Sequence, residues 1–337
     1  MQATPPNRLK SVLFGCISFI VTLVLCLAAA EGILRMKNAS MKNYDVEMWR
    51  YAKELKFASP IPVLGHEHLP DASAVLQSVD IRTNAWGLRG GPVSEKPAPN
   101  TRRILLLGGS IALGWGVPED QVLSTLLQKK LEASGQKVEV LNAGIGNYNA
   151  ERYIERFLQR LTPLEPTDLL VLAFVRDGEP LEQGSNNFLL RHSELVMTAW
   201  IVANRIFGAT GEQNLIDHSR NLYRLDSPAV ARMKAEFGKL ANYAKQHRIK
   251  VVMAMVPDTH QLDNYPLGFV HDVFASVARD NGFAYIDLLK QFQGLSPEQI
   301  WAMPGDPHPN ARGHALMADA IATMYQTGAP TTGEGTR

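Results

Sequence analysis

The chain predicts an α/β fold built on a mainly parallel sheet of five strands, and two observations carry that prediction. From Arg103 onward, apolar runs of strand length, rich in Val, Ile and Leu, recur at 104–107, 138–141, 168–174, 249–256 and 283–287. Helical patterns alternate with them near 119–134, 149–161, 228–247 and 269–281, with a last one at 311–325. Strands separated by helices make right-handed βαβ crossovers, so the strands run parallel.

Composition bounds what such a chain can do. Its 337 residues suffice for a substantial core, and 45% hydrophobic against 20% charged residues mark a globular protein. With 34 Lys and Arg against 33 Asp and Glu, no bulk charge draws it to nucleic acid, which is excluded as a partner. Both cysteines, Cys16 and Cys26, fall in the N-terminal apolar run, leaving no thiol elsewhere for a disulfide, a metal or a nucleophile. The nine histidines include no H-E-x-x-H set, and neither metal nor other cofactor is expected.

Taken in order, residues 1–37 form a membrane anchor. Arg8 and Lys10 precede the charge-free run Ser11–Ala30, which Glu31, Arg35 and Lys37 close. About 20 apolar residues cross a bilayer as a helix. Basic residues ahead of the run favour a cytoplasmic start and place the bulk outside. The rival reading is a signal peptide cleaved after Ala30, since Ala28–Ala30 offers the small residues such a site needs. Residues 38–100 hold prolines 60, 62, 70, 92, 97 and 99 without sustained periodicity and read as an extended lead-in, packed on the domain or partly linker. Within it Thr83–Gly91 is a turn-rich island whose Trp86 packs locally. The α/β domain occupies 101–326. A helical insertion at about 181–226, amphipathic around Glu194–Phe207, breaks its rhythm near the carboxyl edge of the sheet. The tail, 327–337, is Gly/Thr/Pro-rich and reads as disordered.

Four stretches fall at predicted strand carboxyl ends, where open α/β sheets hold ligands. In Arg103–Gly116 an apolar run ends at Gly108-Gly109-Ser110, and a helix is expected to open near Glu119. A nucleophilic serine needs such a turn, which projects its hydroxyl while backbone N–H groups face the developing charge. Leu141–Asn149 sets glycines after the second strand, but the phosphate-binding spacings G-x-G-x-x-G and G-x-x-x-x-G-K-[ST] are missing there. Leu172–Pro180 carries Arg176-Asp177 after the third. Met303–His314 is a proline- and glycine-rich loop presenting Asp306 and His308 two apart, with His314 on the helix that follows. Histidine is the usual base for serine, and a carboxylate orients it.

Gly108-Gly-Ser110, Asn142–Asn149, Arg176-Asp177 and Asp306–His314 resemble, in order, the blocks of the SGNH (GDSL-type) hydrolase family over about residues 80–325. The closest likeness is to its membrane-tethered branch found with bacterial exopolysaccharide systems. The resemblance implies a flavodoxin-like three-layer α/β/α fold, with Ser110 as nucleophile, His308 as base and Asp306 orienting His308. The oxyanion hole would be formed by the N–H of Ser110, an N–H at Gly146 or Asn147, and a third donor. Two residues depart from the family: Gly109 stands where the name-giving aspartate sits, and Arg176 replaces the asparagine whose amide is that third donor. Arg176 could replace the donor, recognise an anionic group, or mark a broken hole.

The implied activity is a serine esterase removing acyl groups, chiefly acetyl, from a carbohydrate or exopolysaccharide at the periplasmic face of the bacterial inner membrane. The alternatives are a polysaccharide O-acetyltransferase using the same triad alongside other polysaccharide biosynthesis proteins, and a catalytically impaired glycan-binding subunit.

Overall fold

The computed structural model describes residues 8–39, 43–181, 187–207, 212–224 and 226–328. The elements follow the chain as α1 (Arg8–Asn38) and α2 (Tyr44–Glu54), then the short strands β1 (Lys56–Ala58), β2 (His66–His68), β3 (Ser73–Leu76) and β4 (Val79–Arg82). The α/β alternation begins with β5 (Arg102–Gly108), α3 (Ser110–Leu113), α4 (Leu123–Ala133), β6 (Val138–Asn142), α5 (Ala150–Arg156) and β7 (Asp168–Phe174). Three helices interrupt it, α6 (Phe188–His192), α7 (Glu194–Phe207) and α8 (Glu212–Leu222). It resumes with α9 (Pro228–His247), β8 (Lys250–Val256), α10 (Gly268–Asp280) and β9 (Ala284–Asp287). Two short helices, α11 (Leu289–Phe292) and α12 (Pro297–Ile300), a hairpin of β10 (Trp301–Met303) and β11 (Asp306–Pro309), and α13 (Ala311–Thr327) close the fold. The chain divides into two compact units, Met1–Trp49 with Ser185–Thr210, and Arg50–Gly184 with Gly211–Arg337.

In the larger unit, all five expected strands join one parallel sheet in the order β6-β5-β7-β8-β9. This is the doubly wound order of flavodoxin-like folds, and its crevice opens at the carboxyl ends of β5 and β7, where the winding reverses. The central strands read as unbroken apolar runs because both faces are covered. Leu105 and Leu107 of β5, Leu169 and Val171 of β7, and Met253 and Met255 of β8 join α5, α9 and α10 on one side. Ile104, Leu106, Leu170, Leu172, Val252 and Ala254 join α4 and α13 on the other. Period-two alternation thus fills two cores from the same strands.

Helix ends follow local chemistry. In α9 the Ser227 hydroxyl accepts from Ala229 N, Pro228 occupies the first helical position, and Arg248 ends the helix at φ 59°. Its Val230, Met233, Phe237, Leu240 and Ala244 form the buried stripe. The helix expected near Glu119 is present, as a 3₁₀ turn at Glu119–Gln121 that leads into α4, and a further single turn, α3, opens before it at Ser110. Gly114 and Gly116, at φ 81° and 73°, stop that turn, and the main helix restarts at Leu123.

Residues 50–100 are part of this unit and pack on it. Leu55, Leu64, Leu76, Ile81 and Leu88 are buried, and Arg89 bridges antiparallel to Asn142 at the end of β6. Trp86 packs half-buried against the core, its N–H held by the Asn84 side chain.

In the smaller unit, α1 is the one helix among the described residues long and apolar enough to cross a membrane, and its most apolar stretch is exposed throughout. Val46, Met197 and Ile201 form a small buried cluster there, with Trp49 packed against it. Of the expected insertion, residues 182–186, 208–211 and 225 lie outside the described residues, as does the tail from 329 onward.

Candidate active site

Ser110 sits where β5 turns into α3, at the carboxyl edge of the sheet. Its Oγ lies 2.7 Å from Nε2 of His308, and Nδ1 of His308 lies 2.5 Å from Oδ1 of Asp306. Residues 198 positions apart are thus joined in one hydrogen-bonded chain. Asp306 and His308 stand on a strand rather than the loop expected of so many prolines and glycines. Pairing of β11 with β10 puts Trp301 opposite Pro309 and Met303 opposite Asp306. Side chains two apart on a strand share a face, so the Asp306 carboxylate reaches both the amide and the ring of His308.

Asp306 is fully buried, and burial alone would push its carboxyl up. Hydrogen bonds from His308 and Gln77 and the charge of His308 outweigh that and hold it below the usual carboxylate range. Its second oxygen accepts from Gln77 Nε2 at 2.7 Å and Trp115 Nε1 at 3.2 Å. Neither residue was anticipated. Gln77 and Ser78, both at positive φ (50° and 63°), form the two-residue turn that joins β3 to β4 in the register Leu76 to Val79. The available signal was two short runs separated by two residues, without the Asn-Gly or Asp-Gly that advertises such turns. His314 is buried away from this chain of bonds: its Nδ1 accepts from Leu123 N at 3.0 Å, and burial, then the charges of Arg89 and His308, lower its pKa to about 3.

The glycine block folds over the serine turn. A side chain at Gly144 would place its Cβ 2.2 Å from Leu113 N, so only glycine lets these two backbones meet. At Gly146 a Cβ would stand 2.6 Å from the Tyr51 ring. The expectation that Gly146 supplies an oxyanion donor is corrected by this packing, because its N–H donates to the Tyr51 hydroxyl at 2.9 Å. Its carbonyl accepts from Lys56 Nζ at 2.7 Å, and His66 Nε2 lies 3.0 Å from it. Burial, then the nearby Arg152 charge, pushes the Lys56 amine well below its ordinary pKa. Next in sequence, Asn147 holds the left-handed backbone at φ 64°. Arg89 steadies the other wall, donating from a buried guanidinium to the carbonyls of Leu113, Gly114 and Val117 at 2.6–2.7 Å. A Cβ at Gly109 would stand 3.0 Å from the Tyr148 carbonyl, so a small residue at this position suits its surroundings.

The third block behaves differently from either neighbour. The Arg176 guanidinium binds Glu179 through Nε and Nη2 at 2.9–3.0 Å, with most of the side chain exposed. Asp177 is buried and accepts from Tyr153 Oη at 2.9 Å and Phe174 N at 3.1 Å. Burial raises its pKa to about 7 despite those two bonds. The Asp177 carbonyl accepts from Ala150 N, which ties this block to the end of the glycine block.

A doubly wound sheet carrying serine, histidine and aspartate in one hydrogen-bonded chain at its carboxyl edge is the arrangement of a serine hydrolase. The chain belongs to the GDSL-like lipase/acylhydrolase family, which it matches over residues 106–316, and is a serine hydrolase of the esterase type. No curated protein matches it in sequence. Among solved structures it is similar to TesA, at 17% identity over 67% of this chain and 99% of that one, TM-score 0.42. It is also similar to the acetyl xylan esterase AlAXEase, at 16% identity over 66% and 98%, TM-score 0.42. A third is an acetyl-xylooligosaccharide esterase from Geobacillus, at 13% identity over 68% and 94%, TM-score 0.43.

Proposed function

We propose that the chain is a membrane-anchored esterase that removes acetyl groups from a carbohydrate on the outer side of the cytoplasmic membrane. The observation that carries the chemistry is the unbroken bond chain from Asp306 through His308 to Ser110, at 2.5 and 2.7 Å. His308 Nε2 takes the Ser110 proton as Oγ attacks the ester carbon. The tetrahedral oxyanion is held by the N–H groups of Ser110 and Asn147, the latter taking the place of the Gly146 amide engaged by Tyr51. Collapse expels the sugar oxygen, which takes the proton from His308, and leaves acetyl-Ser110. Water, deprotonated by His308, then attacks the acyl carbon, and collapse expels Ser110 Oγ, which takes that proton back from His308 and frees acetate. Carbohydrate as the alcohol half follows from the resemblance of the four sequence blocks to the membrane-tethered branch. Anchorage follows from α1, and its direction from Arg8 and Lys10 ahead of the apolar run.

A second reading is favoured by Arg176: with its guanidinium on Glu179, the hole has two backbone donors, and one missing donor costs ~10² to 10³ in turnover. The same acyl-serine could be intercepted by a sugar hydroxyl in place of water, making the chain an O-acetyltransferase, or would hardly form in a glycan-binding subunit.

Labelling of the full chain by a fluorophosphonate, read by intact mass beside Ser110→Ala and His308→Ala, separates these readings. One adduct on the wild type and none on either variant is expected. If that chain then releases acetate from acetylated xylo-oligosaccharide, it is an esterase. Loss of acetyl from the donor only when a sugar acceptor is added, with the acetyl recovered as an ester of that acceptor and no free acetate, would make it a transferase. A folded wild type without adduct would leave glycan binding.

A further inference from the structure

Helix α7 is apolar on two sides. Met197 and Ile201 are buried with Val46, whereas Trp200, Val202 and Ile206 are 55%, 49% and 68% exposed. At about 100° per residue, Val202, Ile206, Ala199, Ala203 and Trp200 fall consecutively around an arc of about 160°. All five are exposed and none is charged, and the half-buried Leu195 and Val196 lie within the same arc. The preceding α6 adds Phe188 and Leu189, 70% and 59% exposed. A continuous apolar face of this kind marks a site that something else covers.

What covers it follows from how α7 is tied down. Glu31 is the first residue after the charge-free run of α1. Its carboxylate accepts from Glu194 N and Leu195 N, both at 3.0 Å, and from Ser193 Oγ at 2.9 Å, so it caps the start of α7. Arg35 donates to His192 O at 3.0 Å, and Asn38 Nδ2 to Glu194 Oε2 at 2.7 Å. The beginning of α7 is therefore fixed to α1 at the level where the apolar run ends, which for a spanning helix is the edge of the hydrocarbon.

We infer that the Trp200, Val202 and Ile206 face of α7 lies on the lipid surface, as an interfacial helix seated between headgroups and acyl chains beside the anchor. Its attachment to α1 where the apolar run ends and an arc without charge select lipid as the occupant, and a tryptophan suits that depth. The inference rests on α1 spanning the membrane, and the experiment separates the two.

The full chain would be reconstituted into vesicles of phosphatidylcholine and phosphatidylglycerol with brominated acyl chains, beside Trp200→Phe, and floated after a carbonate wash. The emission of Trp200, taken as the difference between the two proteins, is expected to lose most of its intensity in brominated relative to plain vesicles, while both proteins float equally. A chain that fails to float overturns the anchor and the docked helix together. A chain that floats with Trp200 unquenched by bromine overturns the docked helix alone. In that case, quenching by aqueous acrylamide would leave the face in water, and protection from acrylamide would assign it to a second copy or another protein.

Discussion

Ser110 and His308 stand on elements whose form is written in their own residues, whereas the groups that brace them come from the lead-in before the sheet. The β5 run, the glycines around Ser110 and the Asp-x-His of β11 each announce a strand end, a turn or a shared face. Gln77, Tyr51, Lys56 and His66 announce nothing, yet they hold the second oxygen of Asp306 and both backbone polar groups of Gly146. The reacting atoms belong to the sheet edge, and hydrogen bonds that brace them come from residues 50–100. Chemistry and stability should therefore respond differently to substitutions in the two regions.

The largest expected effect is at the sheet edge. Ser110→Ala should lower kcat for a simple acetyl ester by at least ~10⁴ and leave the melting temperature in place. Activity retained in the variant would remove Ser110 from the reaction, and a lost melting transition would show that the serine turn is structural.

In the lead-in, Tyr51→Phe should do the opposite. It leaves the buried Gly146 N–H without its 2.9 Å acceptor and removes the 2.6 Å bond between Tyr51 Oη and His68 Nε2. A buried donor so orphaned costs about 1 to 3 kcal/mol, read as a lower denaturant midpoint, with turnover falling less than for any change in the triad. Unchanged stability would mean that the glycine block needs no support from the lead-in.

Gln77→Ala crosses the divide, since it lies in the lead-in but touches the triad carboxylate. A fall in kcat of at least tenfold, about 1.4 kcal/mol, with KM held, is expected as Asp306 loses its 2.7 Å donor. An equal loss in KM would place Gln77 in substrate binding instead.

These contrasts explain what was legible in the sequence. The five strands could be read because strands covered on both faces are continuous apolar runs, whereas the triad, whose serine and histidine lie 198 positions apart, could be read only through the resemblance of its blocks to a known family. The lead-in could not, because its contacts are made across long separations, 229 residues from Gln77 to Asp306, and no period records them. Gly146 misled for the same reason. Its glycine suits an oxyanion loop, but the residue that claims its N–H lies 95 positions away. The strand at Asp306, expected as a loop, leaves no visible alternation in the sequence because only two of its residues pair with β10.

On the sheet side, Asp177 is a neighbour of the site that braces rather than reacts. Its pKa rises from 3.8 to about 7 on folding, chiefly through burial. A carboxyl raised in this way contributes stability that is fully present below the unfolded value of 3.8 and lost as pH climbs through about 7. Asp177→Asn keeps the neutral form at every pH. Both described bonds, from Tyr153 Oη and Phe174 N, fall on one oxygen, which an amide carbonyl can replace. The variant should therefore melt with the wild type near pH 3, already above it at pH 5, and further above it at pH 8. A difference independent of pH would show that Asp177 is ionised in the fold, and with it that the third block carries charge toward the crevice rather than packing beneath it.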